Sequence, residues 1–228
     1  MVGGPQGAHP AEDQDRLKRL SGACALFVCA LACALPAQAA GTPERTLDVQ
    51  LELIAADARV LAAAATPPVR RAALSERIRS NLGSLGMTAR AAAQDSGQTD
   101  AAWPAALARL RELFSEGDLA AFAGAARRLA AAHRLDVSYF EPLAVTPQRL
   151  STGRSIYRRY CQGCHLGPGA GRWAPDLFAM ARNEPRREFV ARLLGGVFGD
   201  RTTGHANPFS DEALASLTAY FLNPAAAQ

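Results

Sequence analysis

Cys161-Gln162-Gly163-Cys164-His165 decides how the rest of the chain is read. The spacing lets two sulfurs add across the two vinyl groups of one porphyrin. The adjoining imidazole then lies where it can ligate the iron from beneath. Cys-x-x-Cys-His is the signature of covalent c-type haem attachment. Two other uses of paired cysteines fit less well. A structural zinc site takes four ligands. A thioredoxin-like dithiol follows a strand in a βαβ setting, whereas a helical, Arg-rich stretch (Arg154, Arg158, Arg159) precedes Cys161.

The other three cysteines of the 228-residue chain, Cys24, Cys29 and Cys33, all lie in the apolar run 23–35. Arg16, Lys18 and Arg19 stand before that run and Ala37-Gln38-Ala39 after it. Basic start, short apolar middle and A-x-A site describe a secretory signal peptide over residues 1–39, cleaved after Ala39. The run is too short for a comfortable membrane span; an uncleaved anchor is the alternative, and the only membrane role expected. Export removes the three upstream thiols and leaves Cys161 and Cys164 to the porphyrin. The expected location is the periplasm, an oxidising compartment.

Alanine is abundant and β-branched and aromatic residues are sparse, which favours helix over sheet. Thr42-Pro43-Glu44 carries a capping Thr, a first-turn Pro and an acid, as a helix start does. Leu47, Leu51, Ile54, Ala58 and Leu61 then recur on one helical face. Thr66-Pro67-Pro68 ends that helix and offers a cap for a second, with Leu74, Ile78, Leu82 and Leu85; Gly83 and Gly86 weaken its end. Gln94 to Asp100 reads as a polar loop. Asp100 is the expected cap of a third helix, with Trp103, Leu107, Leu110 and Phe114. Gly117-Asp118 separates it from a fourth, with Leu119, Phe122, Ala126 and Leu129, ending near His133. The expected class is all-α, an N-terminal helical bundle over 40–145 followed by a haem domain over 146–228. His133 reads as a helix-end or surface residue, and the helical half, with no defensible catalytic cluster, as a docking or scaffold element.

Charge divides unevenly. Residues 41–145 hold 12 Arg against 12 Asp plus Glu, while residues 146–228 hold 10 Arg against 6 acids. A net positive haem half can steer an acidic protein partner. Nucleic acid is not expected, since aromatic residues are not interleaved with the basic ones.

From Thr146 onward the chain resembles a small class I cytochrome c. The residues that carry the resemblance are Gly153 and Tyr157 in a helix running into the motif, then a loop with Gly167, Gly169 and Gly171. Ala174-Pro175-Asp176-Leu177, a middle helix opened by Asn183-Glu184-Pro185, and a last helix ending Ala219-Tyr220-Phe221 complete the pattern. The resemblance implies thioether links at Cys161 and Cys164, His165 as proximal ligand, and Pro175 accepting a hydrogen bond from His165 through its backbone carbonyl. It also implies that Gly153 and Tyr157 meet Tyr220 where the first and last haem-domain helices cross. Arg172 beside Trp173 is the candidate for pairing with haem propionates.

The chain departs from the family at the second iron ligand. The loop before the last helix, where the family places a Met-Pro pair, reads Thr202-Thr203-Gly204-His205-Ala206-Asn207-Pro208-Phe209 and has no methionine. His205, Met180, or no strong ligand with Asn207 or water nearby are the three alternatives. The expected function is one-electron transfer between redox proteins through one covalent haem c, without catalysis by this chain. A haem-based sensor or small-ligand module, and a cytochrome subunit of a larger oxidoreductase complex, are the alternatives.

Overall fold

Side-chain caps and first-turn prolines set most helix starts. In this computed structural model the described residues are 41–64, 66–97, 102–141, 144–165, 174–196, 207, 209–223 and 225. The segment 1–39, Asp100, the glycines Gly167, Gly169 and Gly171, and Arg172, Trp173 and His205 lie outside them. The described residues are helical, with no strand among them, and all belong to one compact unit, Gln38–Gln228.

Helix α1 is Pro43–Ala62; the Thr42 hydroxyl accepts from the Arg45 N–H at 3.2 Å, with Pro43 and Glu44 in the first turn. Helix α2 is Pro68–Ser96, longer than the sequence suggests. It runs through Gly83 and Gly86 because Ala89 and Ala92 continue its buried face. Gly86 also faces the neighbouring helix: a Cβ there would lie 3.2 Å from Leu107. The helix stops at Gly97, whose φ of +68° suits glycine. Thr66 does not cap α2; its hydroxyl donates to the Val60 carbonyl at 2.6 Å and so closes α1.

Helix α3, Trp103–Glu116, has Ala102 at its cap position and no side-chain cap, with Pro104 in the first turn. Helix α4, Leu119–Ala132, is capped by Asp118, whose carboxylate accepts from the Ala121 N–H at 3.0 Å. Its C-terminal cap residue, His133, lies edge-on to Trp103 with ring centroids 5.3 Å apart. A short 3-10 turn, Ser138–Phe140, leads towards α5, Pro147–Ile156, capped by Thr146. Helix α6 is Leu177–Asn183, α7 Arg186–Gly195 and α8 Asp211–Leu222. Asn183 ends α6 rather than opening α7, which has Pro185 at its cap position and no side-chain cap.

Two apolar cores result. One joins α1 to α4 through Leu51, Ile54, Ile78, Leu85, Leu110 and Phe122. The other gathers Phe140, Tyr157, Phe189, Val190, Leu214 and Phe221. Helix α1 serves both. Its expected face meets the first core, and a second face, Val49 and Leu53, enters the second. Accordingly α1 packs against α2, α4 and α7, while α5 packs against α8.

Ion pairs reinforce the contact between α1 and the haem half. Asp57 is fully buried and pairs with Arg77 on α2 and with Arg192 on α7. Arg192 also reaches Glu184 at 2.9 Å, Arg59 pairs with Glu188, and Arg45 pairs with Asp211 at 2.9 Å. Removing one partner of a buried pair costs about 3–5 kcal/mol, because the remaining charge is stranded in the interior. The α1–α7 contact is therefore specified by charge as well as by apolar fit.

Candidate haem site

Helix α5 is placed by its contact with α8. A Cβ on Gly153 would lie 2.2 Å from the Ser216 carbonyl oxygen and 2.7 Å from Tyr220 Cβ, so only glycine permits this crossing. Tyr157, one turn on, sits 5.7 Å from the Tyr220 ring and 5.4 Å from Phe178, centroid to centroid. The expected meeting of Gly153, Tyr157 and Tyr220 is thus present. The aromatic cluster ties α5, α6 and α8 together beneath the motif.

The helix then widens. Tyr157–Cys161 forms a π turn, closed by the Gln162 N–H donating to the Tyr157 carbonyl, five residues back, at 2.8 Å. A π turn fits one more residue into the coil than an α turn and so re-aims the residues beyond it. The Cys161 carbonyl accepts from both the Cys164 N–H at 3.2 Å and the His165 N–H at 3.0 Å. The motif is therefore a tight turn around one carbonyl oxygen.

Cys161 is half-buried, Cys164 is exposed, and neither is in a disulfide. Burial, with Cys164 close by, pushes the Cys161 thiol up to about 11. Cys161 is therefore a neutral thiol at pH 7.

His165 is fixed from two sides. Its Nδ1 lies 2.6 Å from the Pro175 carbonyl oxygen. A carbonyl only accepts, so Nδ1 carries the proton and the lone pair is on Nε2. A hydrogen bond of this kind orients a ligating imidazole and raises its basicity. Pro175 is held by the start of α6, where Asp176 accepts from the Phe178 and Ala179 N–H groups at 2.9 and 3.2 Å. On the other side, the Tyr157 hydroxyl donates to the His165 carbonyl at 2.6 Å. That bond was not read from the sequence. The signal was available, because a buried tyrosine in place of phenylalanine asks for a polar partner.

The candidates for the second ligand are placed differently. Met180 is partly buried against the second core. Both ends of the Asn207 amide are in use: Nδ2 donates to the Leu193 carbonyl at 2.7 Å and Oδ1 accepts from the Phe209 N–H at 3.1 Å. The Asn207 backbone N–H also donates to the Leu194 carbonyl at 3.3 Å. Asn207 therefore closes the C-terminal end of α7, whose last carbonyls have no partner within the helix.

The donor set fits a c-type haem: two unpaired thiols at the attachment spacing and a histidine with Nε2 available. Among the described residues, no group of three or more His, Cys, Asp or Glu could hold a metal ion by itself.

Residues 148–221 match the protein family described as cytochrome c oxidase, cbb3-type, subunit III. The match opens in the first turn of α5, spans the motif and ends in the last turn of α8. No curated protein and no solved structure matches the chain. Approximately the last third of the chain, with Cys161, Cys164 and His165 inside the matched range, is a c-type cytochrome domain.

Proposed function

We propose that the chain is exported, loses residues 1–39 and carries one covalently attached haem, through which it passes single electrons between protein partners in the periplasm. The observation that carries this reading is the 2.6 Å approach of His165 Nδ1 to the Pro175 carbonyl oxygen, which fits an imidazole offering Nε2 as a ligand beside two free thiols. Each thiol adds its S–H across one vinyl group, forming a thioether with no oxidant or reductant consumed. Bound there, the haem supplies a one-electron couple at iron, and the protein supplies ligands, burial and access.

The chain's own residues do the positioning. Pro175 and Tyr157 hold His165 on its two sides. Gly153 allows α8 to close over α5. Cys164, being exposed, leaves its end of the site at the surface, where a partner can approach. The excess of arginine over 146–228 favours an acidic partner face, and His205 is the second iron ligand we favour, because Met180 and Asn207 are engaged elsewhere. Catalysis, where the pathway has any, belongs to the partner.

The family description favours a second reading, in which the chain is the cytochrome subunit of a larger oxidoreductase complex. Among the described residues no helix is long and apolar enough to cross a membrane, so in that reading the membrane span lies elsewhere in the assembly or in residues 1–39. Purification of the tagged chain from its own cell envelope tests both. A soluble periplasmic protein with one haem per chain supports the first reading. Stable recovery with membrane oxidoreductase subunits supports the second. A chain with no haem contradicts both.

A further inference from the structure

We propose that Asp57, on the helical half, is a positioning residue for the haem site, acting through Arg192 on the end of α7. The inference rests on the proposed cytochrome function. Asp57 is fully buried in the C-terminal half of α1, and its carboxylate accepts from Arg192 Nη1 at 2.9 Å. Arg192 is itself nearly buried and stands in the last turn of α7. The next two residues, Leu193 and Leu194, use their carbonyls to hold Asn207. Asn207 in turn holds the Phe209 N–H at 3.1 Å, and the Phe209 ring meets the Tyr160 ring at 5.1 Å. Tyr160 directly precedes Cys161. A chain of described contacts thus runs from a buried charge on the helical half to the attachment motif.

The physical need for the clamp is clear from α7. It has only ten residues and no side-chain cap at its start. A helix this short does not fix itself and depends on tertiary contacts. Asp57, buried between Arg77 on α2 and Arg192 on α7, holds the Arg192 guanidinium together with Glu184, so loss of the carboxylate frees one of the two groups that fix the last turn of α7. The helical half thereby acts as an internal brace for the haem domain rather than only as a docking module.

The same two helices provide a control. Glu188, in the first turn of α7, pairs with Arg59 on α1. That pair also ties the helices together, but at the end of α7 away from Asn207. Loss of mere tethering affects both pairs alike; loss of positioning affects Asp57 alone.

The test uses full-length, haem-loaded protein carrying Asp57→Asn or Glu188→Gln, checked for folding by circular dichroism. Redox potentiometry and paramagnetic resonance of the ferric iron are the readouts. For Asp57→Asn the ratio of reduced to oxidised protein at the wild-type midpoint should change by about 2- to 30-fold, the range of coupling carried by residues that touch neither site. The ferric signal should also split into more than one species, while Glu188→Gln keeps the wild-type potential and spectrum. A folded Asp57→Asn protein with wild-type potential and spectrum overturns the proposal, as does a Glu188→Gln protein displaced equally. Where Asp57→Asn does not fold, Arg192→Lys is judged by the same outcomes. A wild-type chain that stains for no haem overturns the cytochrome reading, and this proposal with it.

Discussion

Gly153 meets the Ser216 carbonyl so closely that a Cβ on the glycine would lie 2.2 Å from the oxygen. The contact sets the crossing of α5 and α8, and with it the place of the π turn that ends in Cys161. Gly153→Ala should force the helices apart and lower stability by about 1–3 kcal/mol, the usual cost of overpacking. Denaturant unfolding of the haem-free chain measures it; an unchanged midpoint would show that α8 can shift without penalty.

Tyr157→Phe removes the hydroxyl that holds the His165 carbonyl and leaves the ring in its aromatic cluster. The expected loss is about 1 kcal/mol, typical of one hydrogen bond. The same variant should retain covalent haem, because neither thiol nor His165 Nε2 is touched. Failure to load haem would assign Tyr157 a larger part than carbonyl positioning.

Asp48, half-buried on α1, is pushed up to about 6 from 3.8, first by burial and then by the neighbouring Glu44 charge. Between those two pH values the folded chain keeps a proton that the unfolded chain has lost. Stability contributed by this group therefore falls as pH rises through that window. Asparagine mimics the protonated form, so Asp48→Asn should raise the melting temperature at neutral pH and give almost no gain at about pH 4. Thermal melts at the two pH values check it; an equal gain at both would remove the carboxylate as the cause.

His205→Ala and Met180→Ala separate the two strongest candidates for the second iron ligand. Met180 packs on the second core, so its loss should cost stability, about 2–5 kcal/mol at full burial and less here, while leaving the ferric paramagnetic signal unchanged. His205→Ala should change that signal. The reverse pattern would make Met180 the ligand.

Local chemistry was legible in the sequence and long-range chemistry was not. Thr42 caps the helix it was expected to cap, because a cap is a contact over three residues, and Asp118, Thr146 and Ser210 cap α4, α5 and α8 by the same short-range contact. Thr66 and Asn183 belong to the same residue types, yet they stand at helix ends, and sequence alone does not say which neighbour such a residue serves. Gly83 and Gly86 were expected to weaken the end of α2; the packing of Gly86 beside Leu107 overrides propensity there. Nothing in the sequence around Asp57 marks it as a buried charge. Its partner Arg192 is 135 residues away, and no periodicity records such a pairing. The second apolar face of α1, Val49 and Leu53, was hidden for the same reason. At the site, the relation of His165 to Pro175 could be inferred from family resemblance, but the π turn and the anchoring of Asn207 depend on backbone hydrogen bonds that residue types do not specify.

The most direct test is the mass of the denatured chain. The protein is purified from a host able to mature c-type cytochromes, beside a Cys161→Ala/Cys164→Ala variant. The account predicts that the wild-type chain keeps the mass of one haem after denaturation and has neither Cys161 nor Cys164 titratable, and that the variant keeps none. A wild-type chain at its bare polypeptide mass, with both thiols reactive, would contradict it.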